Sequence, residues 1–133
     1  MKKYLLDTNI CIYFLKGLYN LDNRIEKAET DNCFVSEITI AELKFGAENS
    51  ENQVKNRKTV EDFVSKFTII PIFNSLDIYA KEKARLRKKG LSLDDFDLLI
   101  GATAISNNLT LVTRNLSDFE RLEGIDIENW VKD

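Results

Sequence analysis

The chain has 133 residues, 44% hydrophobic and 31% charged, a size and balance that fit one globular domain over residues 1–133 and exclude a long disordered or low-complexity protein. It contains no histidine, which removes every mechanism using imidazole as base, acid or metal ligand, and with it the metal-free nucleases built on histidine pairs. A net charge of −3 is unfavourable for gripping a polyanion, although the local field, rather than the total charge, steers a charged ligand.

In chain order, residues 3–7 read as a short buried strand ending in Asp7, followed by a helix over residues 8–16 with Gly17 as its stop. Residues 22–26 look like the start of a short polar helix, Cys33-Phe34-Val35 a second strand, and residues 39–47 a second amphipathic helix. Val60, Phe63, Val64 and Phe67 fall at helical spacing and predict a helix over roughly 52–66. Residues 68–73 form a strand whose proline suggests a sheet edge or a strand end. A helix over 75–89 follows, with Ser75 as cap, a basic last turn and Gly90 as terminator, then another over 92–107 capped by Ser92 and Asp95. Residues 110–113 and 125–127 complete the strands. The alternation predicts an α/β domain with a mainly parallel sheet covered on both faces, whose ligands gather beyond the carboxyl ends of the strands. Asp7 arrives before any apolar stretch could act as a signal peptide, and no apolar run could cross a bilayer, so the expected location is the cytoplasm, with no membrane partner. Cys11 and Cys33 lie in apolar segments and are expected as buried thiols.

Acids recur where such a sheet would bring them together. Asp7 ends the first strand; capping the next helix explains it as well as chemistry does, while Thr8 could cap in its place. Glu42 completes a Thr39-x-x-Glu42 capping box, and on that segment alone the structural reading is the stronger. Asp97 opens the apolar run Asp97-Leu98-Leu99-Ile100-Gly101-Ala102, which places it in the packed part of its helix rather than at the solvated tip with Asp94 and Asp95. A fourth polar group is expected just past the 110–113 strand, in Thr113-Arg114-Asn115-Leu116-Ser117-Asp118-Phe119. Clustered carboxylates do not stay ionised without a cation, and a hard divalent ion, Mg²⁺ or Mn²⁺, suits an all-oxygen site.

Leu5-Leu6-Asp7-Thr8-Asn9, Ile38-Thr39-Ile40-Ala41-Glu42-Leu43 with Gly46-Ala47-Glu48, Asp97 to Ala102, Leu111-Val112-Thr113-Arg114-Asn115 and Ile127-Glu128-Asn129-Trp130 closely resemble, in order, the PIN-domain family and its VapC-type branch. The resemblance implies a Rossmann-like α/β/α sandwich and a Mg²⁺- or Mn²⁺-dependent endoribonuclease, the toxin of a toxin–antitoxin pair. It further implies a homodimer inhibited by a cognate VapB-like antitoxin. Asp7, Glu42 and Asp97 match the family's catalytic, metal-holding positions. Many members carry a fourth acid directly after the Thr-Arg pair; here Asn115 stands there, with Asp118 downstream, so either could complete the site.

The expected reaction is in-line displacement at a phosphodiester by water, whose pKa is lowered by metal held on Asp7 and Asp97, with Glu42 binding a second ion or orienting the water. Arg114 is the expected phosphate contact, with Thr8 and Asn9 beside the site as further RNA contacts, and Lys44 and the basic Lys81–Lys89 helix as additional candidates. A phospho-accepting signalling module would need a paired acid at the first strand and a lysine after the last main one, where this chain has Asp7 alone and Arg114-Asn115. The alternative is a PIN-like scaffold that binds RNA or protein without cutting.

Overall fold

The structure, a computed structural model, describes residues 1–131, so the last two residues of the expected 1–133 span lie outside it. Its centre is a sheet of five parallel strands: β1 (Tyr4–Leu6), β2 (Cys33–Ser36), β3 (Thr68–Ile70), β4 (Thr110–Val112) and β5 (Asp126–Glu128), in the order β3-β2-β1-β4-β5. Helices α1 (Thr8–Leu15), α2 (Leu21–Ala28), α3 (Glu37–Glu48) and α4 (Gln53–Lys66) precede β3, α5 (Leu76–Lys88) and α6 (Asp95–Ser106) join β3 to β4, and α7 (Leu116–Phe119) joins β4 to β5.

Strand periodicity divides the core. Leu5 and Leu111 point into a cluster with Leu86, Leu98, Ile100 and Phe119 from α5, α6 and α7. Their neighbours Leu6 and Val112 point the other way, against Ile10, Ile25, Leu43 and Phe63 from α1, α2, α3 and α4. Both faces are thus covered by apolar helix surfaces, which is why the central strands β2, β1 and β4 are mostly apolar while the edge strand β5 carries Asp126 and Glu128. The chain steps outward from β1 to β2 to β3, then returns to lay β4 on the other side of β1. The gap beyond the carboxyl ends of β1 and β4 is therefore the switch point of the sheet, where such folds open a crevice.

The predicted alternation holds, with Pro71 just past β3, an edge strand, and with Gly17 and Gly90 taking the left-handed φ of +70° and +71° that ends α1 and α5. Of the two caps left open for α1, Asp7 takes the role. The other capping assignments need correction. Ser36, the last residue of β2, already has the extended backbone a cap needs, so the cap falls three residues before the expected Thr39, which is buried inside α3. Asp94 caps α6 in place of Ser92 by accepting from the Phe96 N–H at 3.1 Å. Ser75 precedes α5 but makes no cap bond; its buried hydroxyl instead lies 2.7 Å from that of Ser106. Cys11 and Cys33 are buried free thiols. The turn of helix α7 falls within a polar segment read above only as a source of ligands.

Candidate active site

Asp7 leaves the sheet at the switch point, its N–H bonded to the Val112 carbonyl at 2.9 Å and its side chain only 4% exposed. One carboxylate oxygen accepts from the Thr8 N–H and the other from the Thr113 hydroxyl, both at 2.8 Å. Capping and participation in the crevice are therefore the work of one residue, divided between its two oxygens. Thr113 Oγ1 in turn accepts the Asn115 N–H at 3.0 Å, and the Asn115 amide donates to Asp118 Oδ2 at 2.7 Å. A single polar chain thus runs from Asp7 through Thr113 to both candidates for the fourth position.

Glu42 enters from α3. It lies in the second turn, too far along the helix for the capping box, and its Oε1 accepts the Thr8 hydroxyl proton at 2.7 Å. Because Thr8 spends its only hydroxyl proton there, Thr39 Oγ1, 2.9 Å away, must be the donor in the Thr8–Thr39 bond. Asp97 sits half-buried in the first turn of α6. Burial first, then the charges of Asp7, Asp94, Glu42 and Asp118, push its carboxyl up to about 6. Burial also raises Asp7, opposed by the Thr113 and Thr8 hydrogen bonds and reinforced by Glu42.

The acids are electrostatic neighbours, yet among the described residues no three His, Cys, Asp or Glu side chains are arranged as they stand to grip a metal ion. Asn9 is exposed at the start of α1, whereas Thr8 is buried and committed to Glu42. Arg114 leans over the rings of Tyr13 and Tyr19. Lys44 is exposed on α3; on the basic α5, Lys83 pairs with Asp95 and Arg85 with Glu82. The sequence offered Thr39 as a helix cap and Thr113 within the polar segment after the last main strand, but not their contacts with Thr8 and Asp7. The signal was available for Thr113: parallel pairing of Leu6 with Val112 sets the next residues, Asp7 and Thr113, side by side.

An acid at the switch point of a doubly wound sheet, ringed by acids from the flanking helices, defines the class, and the chain belongs to the PIN-domain family, whose sequence profile matches residues 4–125. Ribonuclease VapC2 of Haemophilus influenzae is 41% identical over 133 residues, covering 98% of this chain and 100% of that protein. The tRNA(fMet)-specific endonuclease VapC of Salmonella typhimurium is 35% identical over 131 residues, covering 98% and 99%. In three dimensions the chain is similar to one in the crystal structure of DNA-bound VapBC from Salmonella typhimurium, with a TM-score of 0.90 at 34% identity over 98% of this chain and 99% of that one. It is also similar to one in VapBC2 from Rickettsia felis bound to a promoter DNA fragment, with a TM-score of 0.88 at 35% identity over 96% and 98%. The resemblance read from the motifs and the α/β sandwich it implied are both borne out.

Proposed function

We propose that this chain is an endoribonuclease, the toxin of a VapBC-type pair, which hydrolyses RNA phosphodiester bonds in its carboxylate crevice with Mg²⁺ or Mn²⁺. The observation that carries the reading is the gathering of Asp7, Glu42, Asp94 and Asp118 around a half-buried Asp97, whose carboxyl is pushed up to about 6 by burial first and by those charges second. The donors are all oxygen and the charges all of one sign, the chemistry that fits a hard divalent ion. Asp7, Glu42 and Asp97 would hold it, with Asp118 or the Asn115 amide oxygen completing the set. Once bound, the ion would supply Lewis acidity, offsetting charge on the phosphate and easing deprotonation of the attacking water.

The chain's own groups set the stage for that chemistry. Thr113 and the Thr8 N–H fix both oxygens of Asp7, so its remaining lone pairs face the crevice in one orientation. The Thr8 hydroxyl, itself held by Thr39, aims Glu42 as the acceptor for a water proton. Arg114 and Asn9 are the proposed RNA contacts, while Thr8 acts by positioning Glu42.

A VapB-like antitoxin is the proposed partner, supported by the VapBC assemblies in which its structural relatives were crystallised. We also propose a cytoplasmic homodimer; among the described residues no helix is long and apolar enough to cross a membrane. The test is incubation of purified protein with total RNA in Mg²⁺, in Mn²⁺ and in chelator. Cleavage is expected with either ion, none with chelator and none from Asp7→Asn; cutting that survives both the chelator and the substitution would refute the reading.

A further inference from the structure

Beside the crevice lies an aromatic cluster that none of the chemistry above uses. Tyr13 on α1 and Tyr19 in the following loop meet edge to face, ring centres 5.1 Å apart at 74°. The Arg114 guanidinium lies 5.9 Å from one ring centre and 5.6 Å from the other. Its Nη1 also donates to both phenol oxygens, at 3.4 and 3.3 Å. Tyr19 is nevertheless 38% exposed.

Two features argue that the cluster does more than tie down the loop. The turn after α1 is already closed by backbone bonds, Gly17 N–H to Phe14 O at 3.0 Å and Leu18 N–H to Tyr13 O at 2.9 Å. Beyond it, Tyr19 and Asn20 both adopt left-handed backbone, φ 58° and 57°, which non-glycine residues take only at a cost. That cost brings the Tyr19 ring to Arg114 and leaves part of it in solvent. Such local strain around a partly open group is characteristic of binding sites.

Position then selects the ligand. Arg114 directly follows Thr113, which holds Asp7, and Tyr13 is five residues along α1 from Thr8, a rise of ~8 Å. A nucleotide adjoining a phosphate in the crevice would meet the cluster. Aromatic rings and a guanidinium plane, held in place before the ligand arrives, are the surface on which unpaired bases stack, and the positive charge suits the phosphate that follows.

Building on the ribonuclease reading, we propose that Tyr13, Tyr19 and Arg114 form a stacking subsite for one unpaired base of the RNA strand beside the cleaved bond. The subsite binds base and ribose–phosphate alike in ground and transition states, so it acts on KM more than on kcat.

The test uses short single-stranded RNA in Mg²⁺, intact or with one abasic ribose at each position flanking the cut. Tyr19→Ala should raise KM roughly 5- to 150-fold with kcat little changed, and Tyr19→Phe, which keeps the ring, should recover most of that loss. Removing the base at one position should raise the wild-type KM similarly, and there Tyr19→Ala should cost nothing more. Equal losses on intact and abasic RNA would mean a structural role and overturn the subsite, as would a wild-type KM insensitive to base removal at every position, a result that needs no folded variant. Binding of Asp7→Asn protein to RNA carrying 2-aminopurine at successive positions separates this inference from the reading beneath it. Fluorescence quenched at one position and restored by adding Tyr19→Ala supports the subsite even if the wild type never cuts, in which case the ribonuclease reading falls alone. Asp7-dependent cleavage with no quenching at any position leaves the ribonuclease reading and overturns the subsite.

Discussion

Replacing Asp97 by asparagine should make the metal-free protein more stable, because the site holds a charge that the fold disfavours. The Asp97 carboxyl is pushed up to about 6 from an ordinary 3.8, which for a dry group would correspond to about 3 kcal/mol. Asp97 is only half-buried, and solvent screening reduces this to about 1.5 kcal/mol. Losing an acid from the first turn of α6 takes back ~0.5 kcal/mol, leaving a net gain of about 1 kcal/mol, or roughly 4 °C in melting temperature. The pH dependence follows from the sign. Between 3.8 and about 6 the folded state keeps a proton that the unfolded chain has lost, so the stability contributed by Asp97 is full at low pH and declines as pH rises through that window. The melting temperatures of variant and wild type should therefore meet below pH 4 and separate by pH 7. Added Mn²⁺ should reverse the order by stabilising the wild type more, while cleavage by the variant collapses. Asp94→Asn is the comparison: asparagine still caps α6 and only one of the charges facing Asp97 is removed, so it should shift the melting temperature at pH 7 in the same direction but by less than Asp97→Asn does. Calorimetric scans of all three proteins from pH 3.5 to 8, with and without Mn²⁺, decide the matter. If Asp97→Asn melts at or below wild type at pH 7 without metal, or keeps wild-type cleavage, the crowded-acid account of the crevice is wrong.

Expression of the wild-type chain alone should arrest bacterial growth and expression of Asp7→Ala should not; equal toxicity at matched soluble levels would remove the nuclease explanation. Thr113→Val strips a donor from Asp7 and an acceptor from the Asn115 N–H, so it should cost about 1–3 kcal/mol in urea denaturation and shift the acid limb of the cleavage profile to higher pH as Asp7 loses a bond that holds its carboxyl down. Gly101→Ala would drive a Cβ into Leu122 beside Phe119, both buried; overpacking of about 1–3 kcal/mol should outweigh a helix-propensity gain of ~1 kcal/mol, giving a lower melting temperature with unchanged metal response.

The fold was legible because its strands are short apolar runs punctuated by Gly, Asp and Asn, and its helices carry apolar stripes at helical spacing. Helix starts were less so. Ser36 and Thr39, Asp7 and Thr8, or Ser92 and Asp94 offer near-equivalent oxygens, and the choice depends on where the strand or loop releases the backbone, which composition does not encode. Asp7 and Asp97 stood out as candidates, an acid at a strand end and one at the packed start of a helix, whereas Glu42 read as a capping residue until the family resemblance was considered. The hydroxyls beside them were harder to read: Thr39 looks like a helix cap until α3 packs on α1, and Thr113 looks like a plain strand end until the parallel register sets it beside Asp7. Tyr13 and Tyr19 were passed over for a similar reason, since an aromatic near a helix end reads as core until its exposure is known.

The bond between Thr113 and Asp7 joins residues 106 positions apart, and this separation has a consequence for the protein's biosynthesis. As the chain leaves the ribosome at ~5–20 residues per second, Asp7 emerges first, and for several seconds no β4 exists to close the pocket around it. The two halves of the crevice are translated 106 residues apart, and the acid stays unpositioned until the second has been made. Nascent and prematurely terminated chains ending before β4 would thus be harmless to the RNA around them, and the hazard of making this protein would begin only once β4 and Thr113 have been made.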